Sequence, residues 1–281
     1  MPYVEQLSRA LQWYAKHGTA KQQAWTGLYL GRSYTEDKLF IPAINAYSDA
    51  LEIAQNKHIY NVAGYICSYM ADLYTYTGQR TEERRKFEEA ADYFKKAGNI
   101  RSYAFALRDI AQTWVFGDSC SIALNYMLKA DSIITKLNDS IGMASIANGF
   151  GNIYKKTGDL NKARLYYIKS IALYNTKSSP NFLALSNIYY RNGTIDSARY
   201  YLEKSKSLTT NPYTHIDRLY MGYLIEKDDN EKDKALNYLE QYIVAKDSLY
   251  DTEKQIDIID AEKRHNLAVL SKQYKDLQLT E

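Results

Sequence analysis

The chain has 281 residues, of which 46% are hydrophobic and 25% charged, with a formal charge of +3 at neutral pH. These are the proportions of an ordinary soluble globular chain, and so small a charge, with no single-sign block, carries no electrostatic footprint for nucleic acid. No stretch has the apolar length of a membrane span, and Met1-Pro2-Tyr3 does not open a signal peptide. Only four prolines and 13 glycines fit an all-helical protein, and the 28 tyrosines are the compositional oddity. Cys67 and Cys120 have no metal or redox spacing and are expected to be unpaired thiols.

In chain order, residues 3–17 have the apolar spacing of one amphipathic helix. Helical hairpins follow at about 19–56, 58–97, 99–137, 139–175, 179–208 and 212–249. In the second, Glu82-Glu83-Arg84-Arg85-Lys86 opens a helix with its acidic residues leading, as the helix dipole prefers, and is predicted to be a solvated face. The fourth is the clearest. Ile146, Ala147, Phe150, Gly151, Ile153 and Tyr154 recur at helical spacing, then Ala163, Tyr166, Tyr167, Ser170, Ile171 and Leu173. Between them Gly158 sits where a helix ends in a left-handed residue, and Asp159 is placed to cap the next helix. The fifth opens with Pro180, suited to a first helical turn. The sixth has an irregular turn at Lys227-Asp228-Asp229-Asn230, which puts its first helix out of register.

No such hairpin buries its own apolar face, so neighbours are required, and the columns line up between hairpins. Steps of 40 residues back from Tyr154 land on Trp114, Tyr74 and Tyr34; a step of 35 forward lands on Tyr189. A small residue precedes each of these aromatics by three: Gly31, Ala71, Ala111, Gly151, Ser186. The second helices carry a small column (Ala43, Ala123, Ala163, Ala198, Ala235, with Glu83 the exception), then a bulky one (Tyr47, Phe87, Met127, Tyr167, Leu202, Leu239). A second small column follows: Ala50, Ala90, Ala130, Ser170 and Ser205, then Tyr242. This order resembles the tetratricopeptide repeat (TPR) family, although the spacing exceeds that family's usual length of about 34. The resemblance implies an all-α, right-handed TPR superhelix forming one solenoid domain over 1–249. Tyr3, Leu7 and Ala10 fall under Ala43, Tyr47 and Ala50, so the chain begins inside a repeat and reads as a trimmed fragment.

After Gly222 there is neither glycine nor proline, and 250–281 is expected to extend the last helix. Leu249, Ile256 and Ile259, then Leu267, Leu270, Tyr274 and Leu277, follow heptad spacing with a stutter between them. The tail is either a packed cap or a coiled coil for self-association. The closing stretch also resembles the segment that precedes a membrane span in bacterial TPR regulators and sensor kinases. That likeness implies a periplasmic sensory role in signal transduction and transcription regulation. The alternative is a soluble cytoplasmic scaffold.

No convergent reactive groups stand out. His17, His58, His215 and His265 are scattered, and Gly149-Phe150-Gly151 sits within a helix without the preceding strand that a phosphate loop needs. No metal, cofactor or catalytic residue is expected. In TPR proteins the first helices line a concave groove, at positions two and six before the aromatic. Here those positions are Arg32, Asp72, Gln112, Asn152 and Asn187, then Leu28, Ser68, Arg108, Asn148 and Leu183. Asn148 and Asn152 stand one helical turn apart, placed to grip an extended peptide backbone together. Trp25, Tyr65, Tyr69, Tyr76, Phe105, Phe116 and Tyr190 supply aromatic walls. No lysine precedes Asn152 by four, a departure from TPRs that clamp acidic C-terminal tails. The expected partner is a protein or peptide in the groove, with no direct nucleic-acid binding, and with a membrane only through segments outside this sequence.

Overall fold

The columns are punctuated by residues with a left-handed backbone. Gly158 (φ 87°) and Gly193 (φ 75°) close first helices at no steric cost, and Lys38 (φ 59°) and Asn230 (φ 60°) hold the same place elsewhere. The next amide bonds back across the turn, as in Leu39 N to Tyr34 O (2.8 Å), Gln79 N to Tyr74 O (2.9 Å) and Thr194 N to Tyr189 O (3.0 Å). The aromatic column therefore marks the last turn of each first helix. In the sixth hairpin the equivalent bond runs from Glu231 N to Glu226 O (2.9 Å), so Glu226 occupies the aromatic's place.

The computed structural model describes residues 2–76, 78–117, 119–174, 179–206, 212–249, 258, 261–262, 264–269 and 271–272. Among them are thirteen helices and no strand: α1 (Pro2–His17), α2 (Ala20–Glu36), α3 (Phe40–Asn56), α4 (Tyr60–Tyr76), α5 (Arg80–Lys96), α6 (Ile100–Phe116), α7 (Cys120–Lys136), α8 (Ser140–Thr157), α9 (Leu160–Leu173), α10 (Ser179–Arg191), α11 (Ile195–Lys204), α12 (Pro212–Asp228) and α13 (Lys232–Leu249). The even-numbered helices are the first helices of the hairpins. The chain forms two compact units, Met1–Ala106 with Asp251–Glu281, and Leu107–Tyr250.

In the first unit α2 packs on α3 through a glycine against a ring. A Cβ on Gly31 would lie 2.5 Å from the Tyr47 ring, which is 1% exposed, so the bare backbone is what lets the helices approach. The Tyr47 hydroxyl sits 3.3 Å from Thr35 Oγ1, and burial holds its pKa well above the ordinary phenol range. In the next hairpin Glu83, the exception in the small column, is buried. It accepts hydrogen bonds from Thr75 Oγ1 (2.7 Å) and Arg80 Nη1 (2.8 Å), partners that offset the desolvation of its charge. Lys86 is buried too, 3.1 Å from Glu89. The Glu82–Lys86 run is therefore not the solvated face the alternating charges predict, because two of its members are paired inside the hairpin.

Part of the tail belongs to this unit. Ile258 and Ala261 are buried, and Glu262 accepts hydrogen bonds from the Tyr74 hydroxyl and from Arg85 Nη2, the latter at 3.0 Å. His265 Nδ1 lies 3.5 Å from Asp49, and Lys272 Nζ 4.0 Å from Glu52. Ile256, Ile259, Leu270, Tyr274 and Leu277 of the heptad seam lie outside the described residues, as do the side chains of Leu249 and Tyr76. Leu267 is described and is 66% exposed.

The second unit repeats the close approach. A Cβ on Gly151 of α8 would lie 2.6 Å from the Tyr167 ring of α9, and one on Gly149 would lie 2.3 Å from Met127 Cε. Asp139 and Asp159 cap α8 and α9, accepting from Gly142 N (3.1 Å) and Lys162 N (3.0 Å). Ala163 and Tyr167 then pack with Ala184, Leu185 and Ile188 of α10, and Leu183, Ala198 and Leu202 with Met221 and Ile225 of α12. Glu226, in the aromatic's place, is buried and pairs with Arg199 Nε at 3.2 Å. Both thiols are free, Cys67 buried and Cys120 partly so.

Small and bulky columns compensate each other: Gly faces Tyr at 31/47 and 151/167, while the same columns hold Ala71 with Phe87 and Ala111 with Met127. Gly151→Ala should therefore destabilise by about 1–3 kcal/mol through overpacking. Adding Tyr167→Met should recover part of that loss, so that urea unfolding of the two single variants and the double variant shows a favourable coupling.

Candidate functional site

Each unit presents a first-helix face. In the first unit Trp25 and Arg32 lie on α2, Tyr65 and Asp72 on α4, and Phe105 on α6. The Trp25 ring stacks on Tyr29 (centroids 5.8 Å) and meets Tyr65 at 5.7 Å. The Tyr65 hydroxyl reaches Ser102 Oγ at 3.1 Å. Arg32 lies over the Tyr69 ring (4.7 Å), and Arg101 over the Phe105 ring (4.8 Å). These contacts link α2, α4 and α6 by rings and cations. Ser68 bonds back to Gly64 O within its own helix, Leu28 is buried in the core, and Asp72 is exposed.

In the second unit the amides are brought together in a relay. Asn152 Nδ2 donates to Gln112 Oε1 (2.9 Å) and to Asn148 Oδ1 (3.4 Å), and its Oδ1 accepts from the Tyr167 hydroxyl (2.7 Å). Asn148 Nδ2 donates to Asn181 Oδ1, Asn181 Nδ2 to Ser170 Oγ (2.9 Å), and Ser170 Oγ to the Ala144 carbonyl (2.6 Å). The relay joins α6, α8, α10 and α9, so most of the hydrogen-bonding capacity of Asn148 and Asn152 is used inside the protein. Arg108 donates to Ser145 on α8 and to Asp109. Asn187, one turn before Arg191, has no hydrogen-bond partner among the described residues. Leu183 is buried.

Beside the relay lies a charged patch that the repeat columns do not mark. Lys155 follows Asn148 and Asn152 on the same face of α8. Burial lowers its pKa, with Arg191 adding to the effect and Asp217 opposing it. Asp217 is open to solvent yet crowded by protein, as a group lining a concavity is; that crowding raises its carboxyl pKa, and Lys155 pulls the other way. Tyr190 donates its hydroxyl to Asp228 Oδ2 (2.7 Å), which together with burial pushes its pKa up to about 12. Asp217, Ile216, Tyr220, Tyr242 and Lys246 line a hollow of about 320 Å³ between α12 and α13.

The groove columns missed Lys155, Arg191 and Asp217. The first two are legible as the next positions on the faces of Asn152 and Asn187, whereas Asp217 is hidden by the register shift of the last hairpin. Asn181 was missed because its partner, Asn148, lies in another helix. Among the described residues no cluster of His, Cys, Asp and Glu has the arrangement of a metal site, and no helix is long and apolar enough to cross a membrane.

No family model matches this sequence, and none of the curated proteins compared with it does. Solved structures match its fold. A Rap protein complexed with Competence and Sporulation Factor is 17% identical with a TM-score of 0.64, over 97% of this chain and 79% of that one. The Rap conjugation gene regulator of plasmid pLS20, in complex with the Phr* peptide, is 14% identical with a TM-score of 0.63, over 89% of this chain and 76% of that one. A tetratricopeptide repeat protein from Parabacteroides merdae is 13% identical with a TM-score of 0.53, over 93% of this chain and all of that one. The fold is that of TPR-like helical repeat arrays.

The relay separates two asparagines that the sequence treats alike. Asn152→Ala leaves the Tyr167 hydroxyl and two amides short of partners and should cost about 1–3 kcal/mol in urea unfolding. Asn187→Ala removes no internal bond and should stay within about 0.5 kcal/mol of the parent.

Proposed function

We propose that this TPR-like array is a non-enzymatic module that binds a protein or peptide on its first-helix face. The observation that carries this reading is the division of labour in the second unit. Gln112, Asn148 and Asn152 are bonded to one another, which fixes the face, while the amide of Asn187 beside them remains unspent. A fixed face with an available amide is suited to an extended backbone, since little side-chain entropy is lost on binding. In the first unit Arg32, Tyr65 and Phe105 offer ring and cation surfaces for side chains. Two Rap structures of similar fold were solved with Competence and Sporulation Factor and with the Phr* peptide, which supports the same kind of ligand here.

The finer reading is the periplasmic sensory part of a bacterial membrane-anchored regulator, carried by the closing charged helix. A second reading, a cytoplasmic scaffold whose tail is a packed cap, is favoured by the bonds that Glu262 makes to Tyr74 and Arg85. The natural reading frame decides between them: an export signal upstream and about 20 apolar residues downstream support the sensor, and their absence supports the scaffold.

Selecting short random peptides on the immobilised protein tests the binding function. Selected peptides should bind Asn187→Ala at least about threefold more weakly, a loss of the size of one neutral hydrogen bond. Failure to select any peptide, or affinities indifferent to every first-helix substitution, would refute the reading.

A further inference from the structure

Lys155 and Arg191 are cations without an ion pair. Among the described residues no carboxylate oxygen lies within 4.0 Å of either, although ion pairs recur elsewhere in the unit, such as Arg199 with Glu226 and Asp229. Lys155 is half-buried, so its ammonium has given up part of its hydration without a counter-ion in contact. The carboxylates on this side do not fill the gap. Asp217 acts on Lys155 only from a distance, and Asp228 is held by the Tyr190 hydroxyl. Lys246, beside Asp217 in the hollow between α12 and α13, adds a third positive charge. The patch is net positive in a chain whose overall charge is close to balance.

The helices set the geometry. Asn152 and Lys155 are one turn apart on α8, and Asn187 and Arg191 one turn apart on α10; the bond from Asn148 to Asn181 holds these two helices side by side. Each helix thus carries an amide followed by a cation, and of the two amides only that of Asn187 is unspent. We propose that Lys155, Asn187 and Arg191 form an anion site that takes a carboxylate of the bound peptide, from either an acidic side chain or a free C-terminus. This rests on the peptide-binding reading above and adds the charge of the ligand. A guanidinium offers a planar pair of donors to the carboxylate, the ammonium a point charge, and the Asn187 amide a neutral donor.

The test uses three pools of short synthetic peptides on the full chain. One pool has free C-termini and no Asp or Glu, one has amidated C-termini with Asp and Glu allowed, and one has neither carboxylate. Retention is compared on the parent protein, Lys155→Gln, Arg191→Gln and the double variant, with equal unfolding midpoints confirming intact folds. The parent should retain one of the carboxylate pools about tenfold better than the uncharged pool, as two charge-assisted contacts warrant. The double variant should lose that preference while holding the uncharged pool unchanged. Which of the two carboxylate pools is preferred identifies the source of the anion. If the parent holds all three pools alike, or the double variant keeps the preference, the anion site is refuted and peptide binding stands. If no pool is retained, both readings fail.

Discussion

How closely two helices of a hairpin approach decides nearly everything that follows in this chain, and a glycine facing a tyrosine ring sets that distance. Gly151 lets Tyr167 lie flat against α8, where any Cβ would meet the ring. With the ring so placed, its hydroxyl arrives at Asn152 Oδ1, and that bond orients the amide. Asn152 must then send its hydrogens to Gln112 and Asn148, and Asn148 its own to Asn181. A packing constraint inside one hairpin thus determines which polar groups on the adjoining face are spent and which remain available.

That chain of dependence explains why the face is selective. A relay of mutually bonded amides resists rearrangement, because opening one bond strands a buried donor or acceptor at a cost of about 1–3 kcal/mol. The groups left over, the Asn187 amide and the Lys155 and Arg191 cations, are therefore presented by a stiff platform. Stiffness reduces the entropy lost on association, and uncompensated charge selects the sign of the ligand. The aromatic-lined face of the first unit has a different character: its cations lie over rings, as Arg32 does over Tyr69.

The fold is legible in the sequence because each structural rule leaves a mark at a fixed spacing. Small residues meet bulky ones, aromatics stand at the last turn of first helices, and Gly158 and Gly193 end helices where the columns require it. The departures have local causes. Glu83 breaks the small column because Thr75 and Arg80 satisfy its carboxylate, partners contributed by the preceding helix and by its own first turn. The last hairpin slips because its turn places Glu226 where an aromatic is expected, which hides Asp217 from column counting. The site was only half legible. Asn148 and Asn152 stand out as neighbours on one helix, but nothing in their spacing reveals that Asn181 and Tyr167 engage them. Lys155 and Arg191 look like ordinary surface cations until the lack of a contacting carboxylate is seen in three dimensions.

The central claim is that ligand is held by first helices of the second unit, and cross-linking tests it most directly. A benzophenone side chain can replace Tyr190, on the first helix α10, or Tyr200, 56% exposed on the second helix α11. With a selected peptide bound, irradiation should attach the peptide through position 190 and leave position 200 unreacted. Attachment through position 200 alone would place the ligand on the second-helix face and contradict the account.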